Sequence, residues 1–139
     1  MGNNYVETRL RVRYAETDRM GVVYYGNFFT WFEVGRVEFL RDIGFRYREV
    51  EEVDDCHIVV VEAQCRYRSP ARYDDELLIR TRLKHMRGPV IRFGYEIVRP
   101  EDATEIADGE TTHLVCDRQM KVRPLPPKLA DPLRERLPK

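Results

Sequence analysis

Thr17-Asp18-Arg19-Met20-Gly21-Val22-Val23-Tyr24-Tyr25-Gly26-Asn27-Phe28-Phe29-Thr30-Trp31-Phe32-Glu33-Val34-Gly35-Arg36 is the stretch on which the reading of this chain turns. Its first part contains Asp18 and Gly21 and breaks the alternation that precedes it, so residues 15–25 read as a loop. From Phe28 onward apolar residues recur at helical spacing. Phe28, Phe32, Gly35 and Phe39 form one stripe, with Phe29, Phe32, Leu40 and Ile43 beside it. Asn27 stands where an N-cap belongs, and Gly44 where a left-handed residue would end the helix. One side of this helix is bulky and aromatic, and the other carries Glu33, Arg36 and Arg41. A helix of that kind is suited to being wrapped by a sheet.

Outward from it, residues 5–14 alternate, with Val6, Leu10, Val12 and Tyr14 on one side and Glu7, Arg9, Arg11 and Arg13 on the other. Period two with one polar face predicts a half-buried strand. Four more strands are expected at 57–67, 76–85, 90–98 and 106–117, separated by turns such as Arg87-Gly88-Pro89 and Pro100-Glu101-Asp102. The order β-α-β-β-β-β with tight turns predicts an α+β fold, one antiparallel sheet on one long helix. The domain is expected to occupy 1–122. Residues 123–139, with Pro124, Pro126, Pro127, Pro132 and Pro138, are expected as an extended surface tail with one short turn at 131–137.

The 139 residues suit one domain, and 42% hydrophobic with 11% aromatic composition excludes a disordered or collagen-like chain. Twenty-four basic residues balance twenty-four acidic ones. That argues against diffuse electrostatic capture of nucleic acid or of an anionic membrane. No apolar run approaches the ~18 residues of a membrane span, and the first residues lack the apolar stretch of a signal peptide. Cys56, Cys65 and Cys116 are an odd count without CxxC spacing, which predicts reduced thiols and a cytoplasmic location.

His57, His85 and His113 lie far apart, and no HExxH or clustered Cys/His set occurs, so neither metal nor cofactor is expected. GxSxG and GxxxxGK[ST] are also missing. Asp108 and His113 stand at D-x4-H spacing, a weak signal spread along one strand. Asp18, just upstream of a helix start, is the stronger candidate. Free N–H groups there can polarise a carbonyl while the carboxylate attacks it or draws a proton from water. Taken alone, an Asp in this position is more often a cap or turn former.

Arg11-Val12-Arg13-Tyr14-Ala15-Glu16-Thr17-Asp18, continued through Gly21, Tyr25, Asn27, Glu33 and Arg36, closely resembles the opening motif of hotdog-fold acyl-CoA thioesterases. The nearest group is the 4-hydroxybenzoyl-CoA thioesterase family, including its Tol-Pal-associated branch. Tyr67-Arg68-Ser69-Pro70-Ala71-Arg72-Tyr73-Asp74-Asp75 and Ala107-Asp108-Gly109-Glu110-Thr111-Thr112-His113 extend the likeness across nearly the whole domain. The resemblance implies a hotdog fold, with five antiparallel strands around a long central helix. It also implies a homodimer or homotetramer joined edge to edge, with active sites at the interface, and an acyl-CoA substrate. It assigns the catalytic carboxylate to Asp18 and the carbonyl-polarising amide to Tyr25. Many Tol-Pal-branch members carry His where Tyr25 stands, but a backbone amide survives any change of side chain.

Tyr24 is a candidate for the acyl pocket, and Lys84, Arg87 and Arg92, with His85, are candidates to hold the CoA phosphates. The competing readings are plain aromatic packing and an exposed charged hairpin. Glu33 and Arg36 are expected as a solvated or interfacial ion pair, and His113 as filling on the inner sheet face. An acyl-carrier-protein thioesterase and a non-catalytic acyl-binding hotdog protein are the alternatives to an acyl-CoA thioesterase.

Overall fold

The computed structural model describes residues 4–138. β1 (Tyr5–Arg11), β2 (His57–Tyr67), β3 (Glu76–Arg87), β4 (Val90–Arg99) and β5 (Thr104–Cys116) form one antiparallel sheet, ordered β1-β3-β4-β5-β2. Helix α1 (Asn27–Asp42) packs on one face of it, giving the expected α+β hotdog architecture. Strand alternation sets which side chains meet the helix. Ile79, Thr81 and Leu83 of β3 pair with Ile97, Tyr95 and Phe93 of β4, and all six are buried. Phe93 and Ile91 in turn pair with Thr111 and His113 of β5.

The aromatic stripe of α1 fills the space above this layer. Phe32 stacks on Tyr95 with ring centroids 4.3 Å apart, and Phe39 meets Phe93 edge-on at 5.6 Å. Each such side chain contributes about 1.5–3 kcal/mol by leaving water. Gly35 marks the closest approach of helix to sheet. A Cβ there would lie 2.4 Å from Thr81 Oγ1 and 2.9 Å from Ile79 Cγ2, so any side chain would push α1 outward.

Several expectations are corrected. β1 ends at Arg11, because Val12 N–H turns to the Asp75 carbonyl and Tyr14–Glu16 coils into a single 3-10 turn. Asn27 is the first residue of α1 and does not cap it; its Nδ2–H donates to the Glu16 carbonyl at 2.8 Å. Arg36 is buried and makes no ion pair with Glu33 among the described residues. A short helix, α2 (Tyr47–Glu52), follows Gly44 and buries Val50. The proline-rich end is not wholly extended. α3 (Pro127–Arg134) buries Leu129, Ala130 and Leu133 against the main core. Proline at the first helical position lacks only an N–H that would have had no helical partner.

Candidate active site

The loop before α1 is a small hairpin with Asp18 near its turn. Thr17 bridges Val23, Asp18 N–H donates to Val22 O at 2.8 Å, and Gly21 N–H returns to Asp18 O at 3.0 Å. Gly21 has φ +81°, a conformation that favours glycine and lets the chain reverse within a few residues. Asp18 Oδ1 accepts Met20 N–H at 2.8 Å, while Oδ2 has no hydrogen-bond partner among the described residues. The side chain is therefore oriented by one oxygen and free at the other. The hairpin is tied to the turn before β3 by Val23 N–H donating to Ala71 O at 2.8 Å.

What locks this loop onto the helix is Glu16, a residue that sequence reasoning missed. Its carboxylate is buried, accepting Arg13 N–H at 2.8 Å on Oε1 and the Trp31 indole N–H at 2.9 Å on Oε2. Its carbonyl accepts Tyr24 N–H at 2.9 Å and the Asn27 amide at 2.8 Å. One residue thus fastens both walls of the turn between Asp18 and the start of α1. The available signal was a glutamate three residues after Arg13, spaced to accept the Arg13 backbone N–H, with a tryptophan on the helix beyond it.

Tyr25 follows at once. Its N–H has no acceptor among the described residues, and it lies just ahead of the positive end of α1. Its carbonyl is held by the Tyr67 hydroxyl at 3.1 Å. Burial, reinforced by the neighbouring Cys65, pushes that hydroxyl up to about 12, so it remains a donor at neutral pH. The Tyr24 and Tyr25 rings lie 4.6 Å apart, both exposed, beside Tyr67. Asp18, Tyr24 and Tyr25 therefore lie on one short segment whose backbone is fixed at both ends.

The basic set lies on neighbouring β3 and β4, where His85 pairs across the strands with Arg92. Lys84 pairs with Glu110 at 2.8 Å on the sheet face away from α1. It lies over Gly94 in a cleft of about 310 Å³ that is also bordered by Arg82, Glu96 and Asp108. Arg92 donates to Thr112 Oγ1 at 3.2 Å. Arg87, exposed at the β3–β4 turn, is the member without a partner among the described residues. Asp108 and His113 are not a pair. Asp108 holds Arg68 at 2.7 Å on the outer face, whereas His113 is wholly buried on the inner one. Among the described residues no His/Cys/Asp/Glu group is arranged to hold a metal, and no helix is long and apolar enough to cross a membrane.

On the inner face, Arg36 donates to the Tyr95 hydroxyl at 3.2 Å, which lies 2.6 Å from Thr111 Oγ1, itself 2.7 Å from His113 Nε2. A guanidinium only donates, so the Tyr95 oxygen accepts from Arg36, and the hydroxyls of Tyr95 and Thr111 link it to His113 Nε2. Burial, followed by the nearby Arg36 charge, pushes His113 down to about 3, and the ring is neutral.

Residues 12–133 match the family model described as the thioesterase-like superfamily. The chain is 34% identical over 115 residues to the acyl-CoA thioester hydrolase YbgC of Escherichia coli, covering 83% of this chain and 84% of that protein. Among solved structures, a hypothetical protein of Thermus thermophilus superposes with TM-score 0.87 at 33% identity, covering 93% and 97% of the two chains. The DHNA-CoA thioesterase of Staphylococcus aureus superposes with TM-score 0.89 at 27% identity, covering 94% of this chain and 89% of that one.

Proposed function

The chain belongs to the thioesterase-like superfamily and is a thioester hydrolase, and we propose that it cleaves acyl-CoA with Asp18 as the reacting carboxylate and the Tyr25 amide as oxyanion donor. The observation that carries this reading is the unclaimed Tyr25 N–H just ahead of α1, at the end of the hairpin whose turn carries a carboxylate with one free oxygen. As the thioester carbonyl is attacked, negative charge gathers on its oxygen. A donor already fixed at the positive end of a helix stabilises that charge without reorganising.

Asp18 acts in one of two ways. Its free oxygen attacks the carbonyl carbon and expels CoA as thiolate, leaving an anhydride that water opens. Alternatively it takes a proton from water as that water attacks. Both routes consume one water and release a free acid and CoA. Tyr24 and Tyr25 supply aromatic wall at the mouth. Arg87, and Lys84 and Arg92 once released from Glu110 and Thr112, are the cations proposed for the CoA phosphates. The site is proposed to be completed by a second copy of the chain, because β2 is a sheet edge with Val60 and Val61 exposed beside it. Thiol release across short, medium, long and aromatic acyl-CoAs, run beside Asp18→Asn, tests the reading.

A further inference from the structure

Arg36 is 9% exposed, yet among the described residues it forms no ion pair. Its guanidinium carries five N–H donors, and the Tyr95 hydroxyl uses one of them. A buried cation left in that condition is costly unless something anionic meets it. Glu33, one turn back on α1, is exposed and leaves it unpaired.

The guanidinium borders a cleft of about 270 Å³ between α1 and the β2 edge. Phe29, Val60 and Ala63 form its apolar wall, with Thr30, Glu33, Arg36 and Thr111 as its polar groups. An apolar slot with a few fixed polar groups is the ordinary build of a small-molecule site. Its place on the helix is informative. Arg36 reaches Tyr95, which stacks on Phe32, so the charge sits near the level of Phe32. That is about two helical turns, roughly 10 Å, beyond the Tyr25 amide. The Tyr95–Thr111–His113 chain holds the guanidinium in position from behind.

We propose that Arg36 receives a carboxylate at the far end of the acyl group, so that the enzyme favours half-thioesters of dicarboxylic acids over plain acyl chains of equal length. The inference rests on the placement of the thioester carbonyl at Tyr25. A six-carbon chain ending in a carboxylate, laid from that amide along Phe29, covers the distance to Arg36. A guanidinium and a carboxylate then pair through two parallel hydrogen bonds.

Titration calorimetry of adipyl-CoA and hexanoyl-CoA on the Asp18→Asn protein, with and without Arg36→Met, tests this without requiring turnover. Methionine keeps an unbranched side chain suited to burial. With Arg36 present, adipyl-CoA is expected to bind ~10-fold or more tighter than hexanoyl-CoA, as suits a charge-assisted hydrogen bond. In Arg36→Met that ratio is expected to fall to about one, and in Arg36→Lys to an intermediate value. Equal affinities in the Arg36 protein overturn the proposal, as does a preference that survives Arg36→Met. A loss of oligomeric mass in Arg36→Met also overturns it, because the guanidinium would then belong to a contact with a neighbouring copy. Release of CoA by the Asp18→Asn protein during the titration counts against the catalytic role of Asp18 instead, and leaves the two affinities to judge Arg36.

Discussion

Acidification is expected to weaken the fold through one group, His113. The ring is wholly buried, pairs across the sheet with Val60 and Ile91, and packs edge-on to Phe93 at 5.6 Å. Its Nε2 is bonded to the Thr111 hydroxyl, and its Nδ1 has no partner among the described residues. Protonation would put a positive charge in a buried site and near Arg36. The folded value is therefore pushed down to about 3, against about 6.5 in an unfolded chain. A base whose folded pKa is depressed binds protons preferentially when unfolded. Its contribution is complete above about pH 6.5 and declines as pH falls toward 3, by up to about 1.4 kcal/mol per pH unit. Between pH 7 and pH 5 the expected loss from this one residue is about 2 kcal/mol. Urea unfolding at the two pH values, compared with His113→Leu, isolates it. The parent should lose about 2 kcal/mol more than the variant. The variant should itself be weaker by about 1 kcal/mol at pH 7, having lost the Thr111 bond. Parallel pH dependences in the two proteins would refute the burial argument.

Glu16→Ala should destabilise the protein by about 2–4 kcal/mol in urea unfolding, since it strands the Trp31 indole and Arg13 N–H groups. Glu16→Gln should keep the fold yet lower kcat at least ~10-fold, because the amide cannot accept both bonds and the Asp18 turn loosens; unchanged kcat would make Glu16 a purely structural residue. Arg87→Ala should raise KM for acyl-CoA a few-fold with little effect on kcat, added salt should do the same to the parent, and a short thioester lacking the nucleotide should be unaffected. Equal losses on both substrates would show that the β3–β4 turn supports the fold and does not grip CoA.

Much of the architecture was legible because it is written in local periodicity. Ile79, Thr81 and Leu83 alternate with Arg80 and Arg82 as a half-buried strand must, and Phe32 and Phe39 keep helical phase. Asp18 and Tyr25 were picked out through a motif, and their proposed roles rest on the loop geometry around them. The misreadings share one cause, since they concern residues whose role is set by distant partners. Arg36, three residues after Glu33, has the spacing of a surface pair, but the close approach at Gly35 carries it under the helix to Tyr95. Glu16 reads as one more polar residue of a loop until Trp31 is seen to reach it across fifteen residues. In α3, proline density argued for an extended chain, and only the burial of Leu129 and Leu133 explains the helix.

The most direct test of catalysis at Asp18 is the steady-state rate of CoA release by Asp18→Asn on the best substrate of an acyl-CoA panel. Asparagine keeps the shape and can still accept Met20 N–H, but it supplies neither a nucleophilic oxygen nor a base. A fall of ~10²–10⁴ in kcat, with circular dichroism and light-scattering mass unchanged, is expected. A rate within a few-fold of the parent would make Asp18 a turn residue and place the chemistry elsewhere.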